Sequence, residues 1–268
     1  MNPIRTKKKL ITCSLTLLFM SGCSTSYNVA TDRTESLVLT PEKEIQLGEA
    51  AAKRVEEEFD LVRDPALLER LDRVGEKIAA ASDRTDVIYR FNIVDIKENG
   101  VSQPNAFALP GGPVYVTVGL LDLLKADDQL AAVLGHEIGH VVARHAAKRL
   151  QGAVGLQLLQ ALAIGGGATN TVGQRRNLEL ALVSLLSEYS QQDELEADRL
   201  SVRYLKKAGY NPNAALDALT ALRDHLRKQP ARRFSYFRTH PYFNDRLRIV
   251  RQEATGQIGF DDYVNTRQ

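Results

Sequence analysis

Polar and apolar residues alternate through YRFNIVD (residues 89–95), the two-residue period of a strand with one face exposed. Residues 105–118, NAFALPGGPVYVTV, read as two extended pieces folded back at Pro110-Gly111-Gly112, and Asn99-Gly100 marks a turn before them. Elsewhere the apolar positions follow helical spacing. Thr40-Pro41-Glu42 opens a first helix, with a capping hydroxyl, a proline in the first turn and an acid near the positive end; it runs to about Phe59. Asp64-Pro65 opens a second, ending near Ala81. GLLDLLK (119–125) is a short helix, and Asp127 or Asp128 caps a long one that reaches about Leu150. A helix covers about 177–208, Asn211-Pro212 opens another to Lys228, and a last one spans about 242–254. Residues 153–164, AVGLQLLQALAI, are apolar but too short to span a membrane. The 153–173 segment around them fits a lid, a membrane-surface contact or, most simply, core.

Composition changes this picture mainly at the N-terminus. The 268 residues are 44% hydrophobic, enough for a sizeable core, and 35 Lys+Arg stand against 33 Asp+Glu, so no basic excess points to nucleic acid. Residues 1–9 are basic and the next eleven apolar, a secretory leader rather than a spanning helix. Met20-Ser21-Gly22-Cys23 resembles a bacterial lipobox, with Met20 in place of the usual leucine. The resemblance implies cleavage after residue 22, acylation of Cys23 and, with Ser24 next, delivery to the outer membrane facing the periplasm. The Ser/Thr-rich stretch 23–40 reads as a tether, residues 41–256 as the folded domain and 257–268 as a loose tail. Loss of residues 1–22 removes four basic groups and no acids, leaving 31 against 33, a net −2. Cys13 leaves with the leader, so no thiol remains for a disulfide, and packing and a metal must hold the fold.

The chemistry sits in LGHEIGHVVARH (134–145). His136 and His140 are four apart, so on a helix both imidazoles face one ion, with Glu137 beside it. Two neutral imidazoles need a third protein ligand and an open position for water. Zinc lowers the pKa of that water to about 7, and Glu137 can take its proton and pass it to the leaving amine. A metzincin would carry glycine and histidine where this chain has Ala143 and Ala146, so that class is excluded. His145 is off that register and reads as structural or as a hydrogen-bond partner. The third ligand then comes from downstream, from Glu188, Glu194 or Glu196 in SEYSQQDELEADR; Glu194 and Asp198 share a face, and spacing alone does not choose.

Taken in order, NAFALPGG, HEIGH, ELEAD and THP resemble the metallopeptidase family of HtpX, BepA, LoiP, the mitochondrial Oma protease and the CAAX-prenyl endopeptidase, over about residues 40–254. The resemblance implies a gluzincin-type α+β fold, mainly helical, with a small antiparallel sheet whose edge strand lines the active-site cleft. It implies one Zn2+ per chain, held by His136, His140 and Glu194, with Glu137 as base and Asp198 accepting the N–H of a ligand histidine. Asn105, Ala106 and Phe107 would lie on the edge strand, where an extended substrate adds as a β-strand; Asn105 suits a turn equally well. His240 would either stabilise the oxyanion or occupy the fourth zinc position and hold the enzyme latent; alone, it suits a surface as well as a site. Arg246 falls where positive charge would help an oxyanion. Neither the spanning helices of HtpX nor the helical repeats of BepA are expected from these 268 residues.

Two functions follow. One is a lipid-anchored zinc endopeptidase acting on misfolded or unassembled envelope proteins. The other is a zinc-stabilised, chaperone-like module that grips extended chains with proteolysis latent. An assembly-machinery partner is compatible with either, and nucleic acid with neither.

Overall fold

The computed structural model describes residues 24–37, 39–150, 188–228 and 235–256. The leader, Cys23, the apolar 153–173 segment and the 257–268 tail lie outside the described residues. Within the tether, β1 (Ser24–Asn28) and β2 (Arg33–Leu37) pair as an antiparallel hairpin. Asn28 Nδ2 donates to Val142 O at 2.9 Å, Lys148 pairs with Glu35 at 2.7 Å, and Leu37 and Leu39 are buried. Two buried leucines give this polar stretch enough apolar surface to dock.

Two helices come next in the chain, α1 (Pro41–Glu58) and α2 (Pro65–Ala81), capped by Thr40 and Asp64 as their sequences require. A four-stranded sheet lies between them in the order β3 (Asp60–Leu61), β4 (Arg90–Asp95), β8 (Pro113–Thr117), β7 (Ala106–Ala108). The sheet is mixed rather than antiparallel. β7 runs antiparallel to β8, but β4 and β8 are parallel, because the β5 (Lys97–Glu98)–β6 (Val101–Ser102) hairpin and then β7 reverse the chain between them. Both faces are covered. Phe91, Ile93, Ala106, Ala108, Val114 and Val116 pack into the main core, while the alternate residues Val94, Phe107 and Tyr115 meet α1. The half-exposed reading of 89–95 therefore gives way to a strand packed on both sides, and β8 is buried along its whole length.

The short α3 (Val118–Leu123) leads to α4 (Asp127–Val142), the central helix, buried from Leu130 to its end. Its N-cap is Ala126 rather than an aspartate. Asp127 instead receives Arg70 Nε at 2.9 Å and Arg73 Nη1 at 2.8 Å, which fasten α2 to α4. The helix also ends earlier than its apolar pattern suggests. Arg144 takes a left-handed backbone with φ 55°, and α5 (His145–Leu150) starts anew. Such a conformation is costly without glycine and needs support from around it. Arg144 donates to Glu44 at 2.7 Å and to Leu39 O at 2.8 Å. Arg84 grips the same buried Glu44 with bonds of 2.8 and 3.0 Å and donates to Val141 O at 2.9 Å.

Next come α6 (Gln191–Ala208), α7 (Ala214–Lys228), the single turn α8 (Tyr236–Thr239) and α9 (Phe243–Thr255). Ser190 and Asp193 form a capping box that starts α6, so Glu188 and Tyr189 lie outside the helix expected to include them. α4 and α6 pack through small residues. A Cβ on Gly139 would lie 3.0 Å from Ala197 O, and one on Gly135 3.1 Å from Ser201 Oγ. That close approach lets side chains one helical turn long meet across the interface.

Candidate metal centre

The i, i+4 spacing puts His136 and His140 on the face of α4 turned to α6, with Nε2 atoms 3.0 Å apart. Glu194, in the first turn of α6, brings its carboxylate to 3.5 Å from His136 Nε2 and 3.4 Å from His140 Nε2. His240, which caps α8, points Nδ1 into the same space, 3.3 Å from His136 Nε2 and 3.0 Å from Glu194 Oε1. All four residues are buried, and one ligand atom from each lies within 4.8 Å of the others. Of the three glutamates left open by sequence, the fold brings Glu194 here. Glu188 is exposed and accepts a hydrogen bond from Tyr242, and Glu196 faces His145 at 3.1 Å.

Buried charge around the cluster is arranged for a cation. Three acids, Glu137, Glu194 and Asp198, stand against one arginine, Arg246, and all four are buried. Arg246 lies under the ligands rather than facing a substrate, as had been expected of it. Its Nε and Nη2 clasp Asp198 at 2.8 and 2.9 Å, and Nη1 reaches Glu194 at 3.0 Å. It is 1% exposed, so its charge orients the acids and is not presented to a ligand from outside. Asp198 in turn meets His136 Nδ1 at 2.8 Å, which fixes the lone pair of Nε2 toward the cluster. Burial alone would raise the carboxyl pKa of Glu194, yet His240, Arg246 and His136 hold it well below the usual range. Burial and Arg246 push the His136 imidazole down, but Asp198 and Glu194 prevail and lift it to about 9, a sign of how strongly the site favours positive charge. Burial depresses His140. Two imidazole nitrogens 3.0 Å apart beside a carboxylate need a proton or a cation between them, and the donor set suits a divalent metal.

Glu137 is the anomaly. It is 1% exposed, and neither carboxylate oxygen has a hydrogen-bond partner among the described residues. The nearest basic atom is His240 Nε2, 3.4 Å from Oε1. A buried carboxyl group without a hydrogen bond is costly, which marks it as a group kept for something other than stability.

Two aromatic rings escaped the sequence reading. Tyr189 stacks on His140 with centroids 3.9 Å apart, and Tyr236 stacks on His240 at 4.4 Å. Their positions, beside the Ser190 cap and one turn before His240, are the only signals they leave in the sequence. Backbone bonds tie this layer down: Tyr189 N donates to Thr239 O at 3.3 Å, and Tyr236 N to Pro104 O at 3.1 Å, just before β7. Asn105 is buried, and its backbone is bonded both ways to Thr117. Ala106 and Phe107 are buried as well, Phe107 stacked on Tyr115 at 5.2 Å, so they can offer a substrate only backbone. β7 is the edge of its sheet, and no strand pairs with its outer side among the described residues.

A HExxH helix crossed by a helix that carries Glu194 and Asp198, beside a mixed sheet whose edge strand β7 has no outer partner among the described residues, defines a metallopeptidase domain. The chain belongs to peptidase family M48, whose model matches residues 65–254. It is 32% identical over 182 residues to the mitochondrial metalloendopeptidase OMA1 of Schizosaccharomyces pombe, covering 68% of this chain and 51% of that protein. It is 27% identical over 223 residues to the beta-barrel assembly-enhancing protease of Escherichia coli, covering 79% of this chain and 44% of that one. The metalloprotease LoiP of Escherichia coli is 32% identical over 152 residues, 56% of this chain and 59% of LoiP. The chain spans about half the length of the curated relatives it matches. Among the described residues no helix is long and apolar enough to cross a membrane.

Proposed function

We propose that this chain is a zinc endopeptidase of the bacterial envelope, anchored through a lipid on Cys23 to the outer membrane and facing the periplasm. It cuts misfolded or unassembled envelope proteins presented in extended form. The observation that carries the catalytic reading is the convergence of His136, His140 and Glu194 beside a buried Glu137 carboxylate that has no hydrogen-bond partner among the described residues. Ligand atoms about 2.0–2.1 Å from a tetrahedral zinc lie about 3.3 Å apart. The separations of 3.0–3.5 Å between His136 and His140, from Glu194 to each of them and from His240 to His136 are close to that spacing, in a cluster whose four ligand atoms lie within 4.8 Å of one another. Bound zinc supplies an acidified water and a polarised scissile carbonyl. Glu137 accepts the proton of the attacking water on a carboxylate oxygen and delivers it to the nitrogen of the leaving amine. Asp198 keeps His136 in the tautomer that offers Nε2, and Arg246 holds Asp198 and Glu194 in place. The outer edge of β7 suits a substrate added as a strand, with main-chain bonds rather than side chains gripping it. The envelope address rests on the leader, and the substrate class on the relatives named for assembly and for metal-dependent proteolysis.

Removing the metal tests this reading. A chelator is expected to abolish cleavage of an unfolded β-rich protein, and stoichiometric zinc to restore it. Cleavage indifferent to both treatments would overturn it.

One observation favours a latent resting state. His240 fills the position next to the three ligands that water and substrate need, and Tyr189 and Tyr236 close over the site. Its segment also takes the Pro104 carbonyl at the entrance to β7. On this reading His240→Ala raises the rate of cleavage. The opposite result, a fall, would give His240 a place at the oxyanion instead, so the sign of the change in kcat separates the two roles.

A further inference from the structure

His136 and His140 each present Nε2 to the cluster, but only His136 has a carboxylate directly behind its ring. His140 has a histidine there. His140 Nδ1 lies 2.8 Å from His145 Nδ1, and His145 Nε2 lies 3.1 Å from Glu196 Oε2 and 3.4 Å from Asp193 Oδ1. His145 is 2% exposed. On one straight helix a residue five positions from His140 would point well away from it. The left-handed turn at Arg144 swings His145 back, and the buried grip of Glu44 on Arg144 and Arg84 holds that turn in place.

We propose that His145 is a positioning residue for metal binding, the middle of a Glu196–His145–His140 relay that fixes the tautomer and ring angle of His140. The inference rests on the reading of His136, His140 and Glu194 as metal ligands. Neutral imidazoles allow one consistent set of protons. Glu196 accepts from His145 Nε2–H, which leaves His145 Nδ1 as an acceptor. His140 Nδ1–H donates to it, and the lone pair of His140 is then confined to Nε2, on the metal side. The His145 ring carries the carboxylate's influence across a gap that Glu196 cannot span by itself. α6 thus serves the site three times: Glu194 joins the cluster, Asp198 orients His136, and Glu196 orients His140 through His145. Partners of this kind are worth about 10–100-fold in metal affinity.

Zinc affinity of the full chain, measured by competition with a chromophoric chelator, tests the relay, with cooperative melting of the metal-free protein as the check on folding. His145→Phe keeps the ring's shape and removes both nitrogens; the expected result is a 10–100-fold weaker zinc affinity in a protein that still melts cooperatively. His145→Asn restores an acceptor near the Nδ1 position and is expected to recover part of that loss. Wild-type affinity in His145→Phe would overturn the inference. Should that variant fail to fold, Glu196→Ala replaces it: a several-fold loss supports the relay and an unchanged affinity overturns it. His140→Ala distinguishes the two levels. If it binds zinc as well as wild type, the metal site itself has been misread and the relay falls with it; if only His145→Phe matches wild type, the relay alone falls.

Discussion

Replacing Glu137 with glutamine is expected to lower kcat for peptide cleavage by about 10²–10⁴, the usual worth of a positioned general base. The amide keeps the shape of the carboxylate but cannot take a proton from water. Zinc content should stay that of wild type, because Glu137 is not among the converging donors. Melting temperature should hold or rise, since the substitution removes a buried carboxyl that has no hydrogen-bond partner among the described residues. A merely structural glutamate would show the reverse: activity kept and stability lost. The assay is best run with an unfolded β-rich protein, both in the wild-type chain and beside His240→Ala, so that a low resting rate does not mask the loss. Equal cleavage with and without the Glu137 carboxylate would sink the mechanism.

The second large effect is on stability. Arg246→Met is expected to destabilise the metal-free protein by about 3–5 kcal/mol, the cost of breaking a buried ion pair from one side. The guanidinium is the counter-charge for both Asp198 and Glu194, and all three groups are buried. Methionine fills much of the space but leaves two carboxylates in a low dielectric. For a folded unit of about 200 residues this corresponds to a fall in Tm of roughly 6–20 °C. Thermal melts of the chelated protein measure it. An unchanged Tm would mean that water already reaches these acids and that the arginine is dispensable.

How much of this was legible in the sequence depended on the range of the interaction. Local signals read well. Thr40 and Asp64 cap α1 and α2 because a side-chain oxygen three residues from a free N–H needs nothing else from the fold. The pairing of His136 with His140 on one face needs only helical geometry. Features set by distant partners were read less well. Asp127 has the chemistry of a cap, but two arginines from α2 claim it. The end of α4 at Arg144 is invisible in an apolar pattern that continues to Leu150, because the turn is held by Glu44, a hundred residues away. That break is also why His145, off the register of His136 and His140, is a hydrogen-bonding neighbour of His140, one of the two roles its sequence left open. The parallel pairing of β4 with β8 and the docking of the first hairpin likewise depend on what covers them. His240 lay between site and surface because no periodicity links it to α4. Choosing Glu194 over Glu188 and Glu196 took either a family resemblance or the crossing of α4 and α6.

The donors at the centre come from three places in the chain, α4, the start of α6 and the residue after α8, and His136 and His240 are 104 positions apart. A cation gripping all of them is therefore a cross-link. It closes a loop of about 100 residues, which by the chain-entropy estimate used for disulfides is worth about 4–5 kcal/mol against the unfolded state. No cysteine stands among the described residues to do the same work. The metal then fastens the protein as well as serving its chemistry, and a chain that loses its ion in a metal-poor compartment loses its clasp together with its activity.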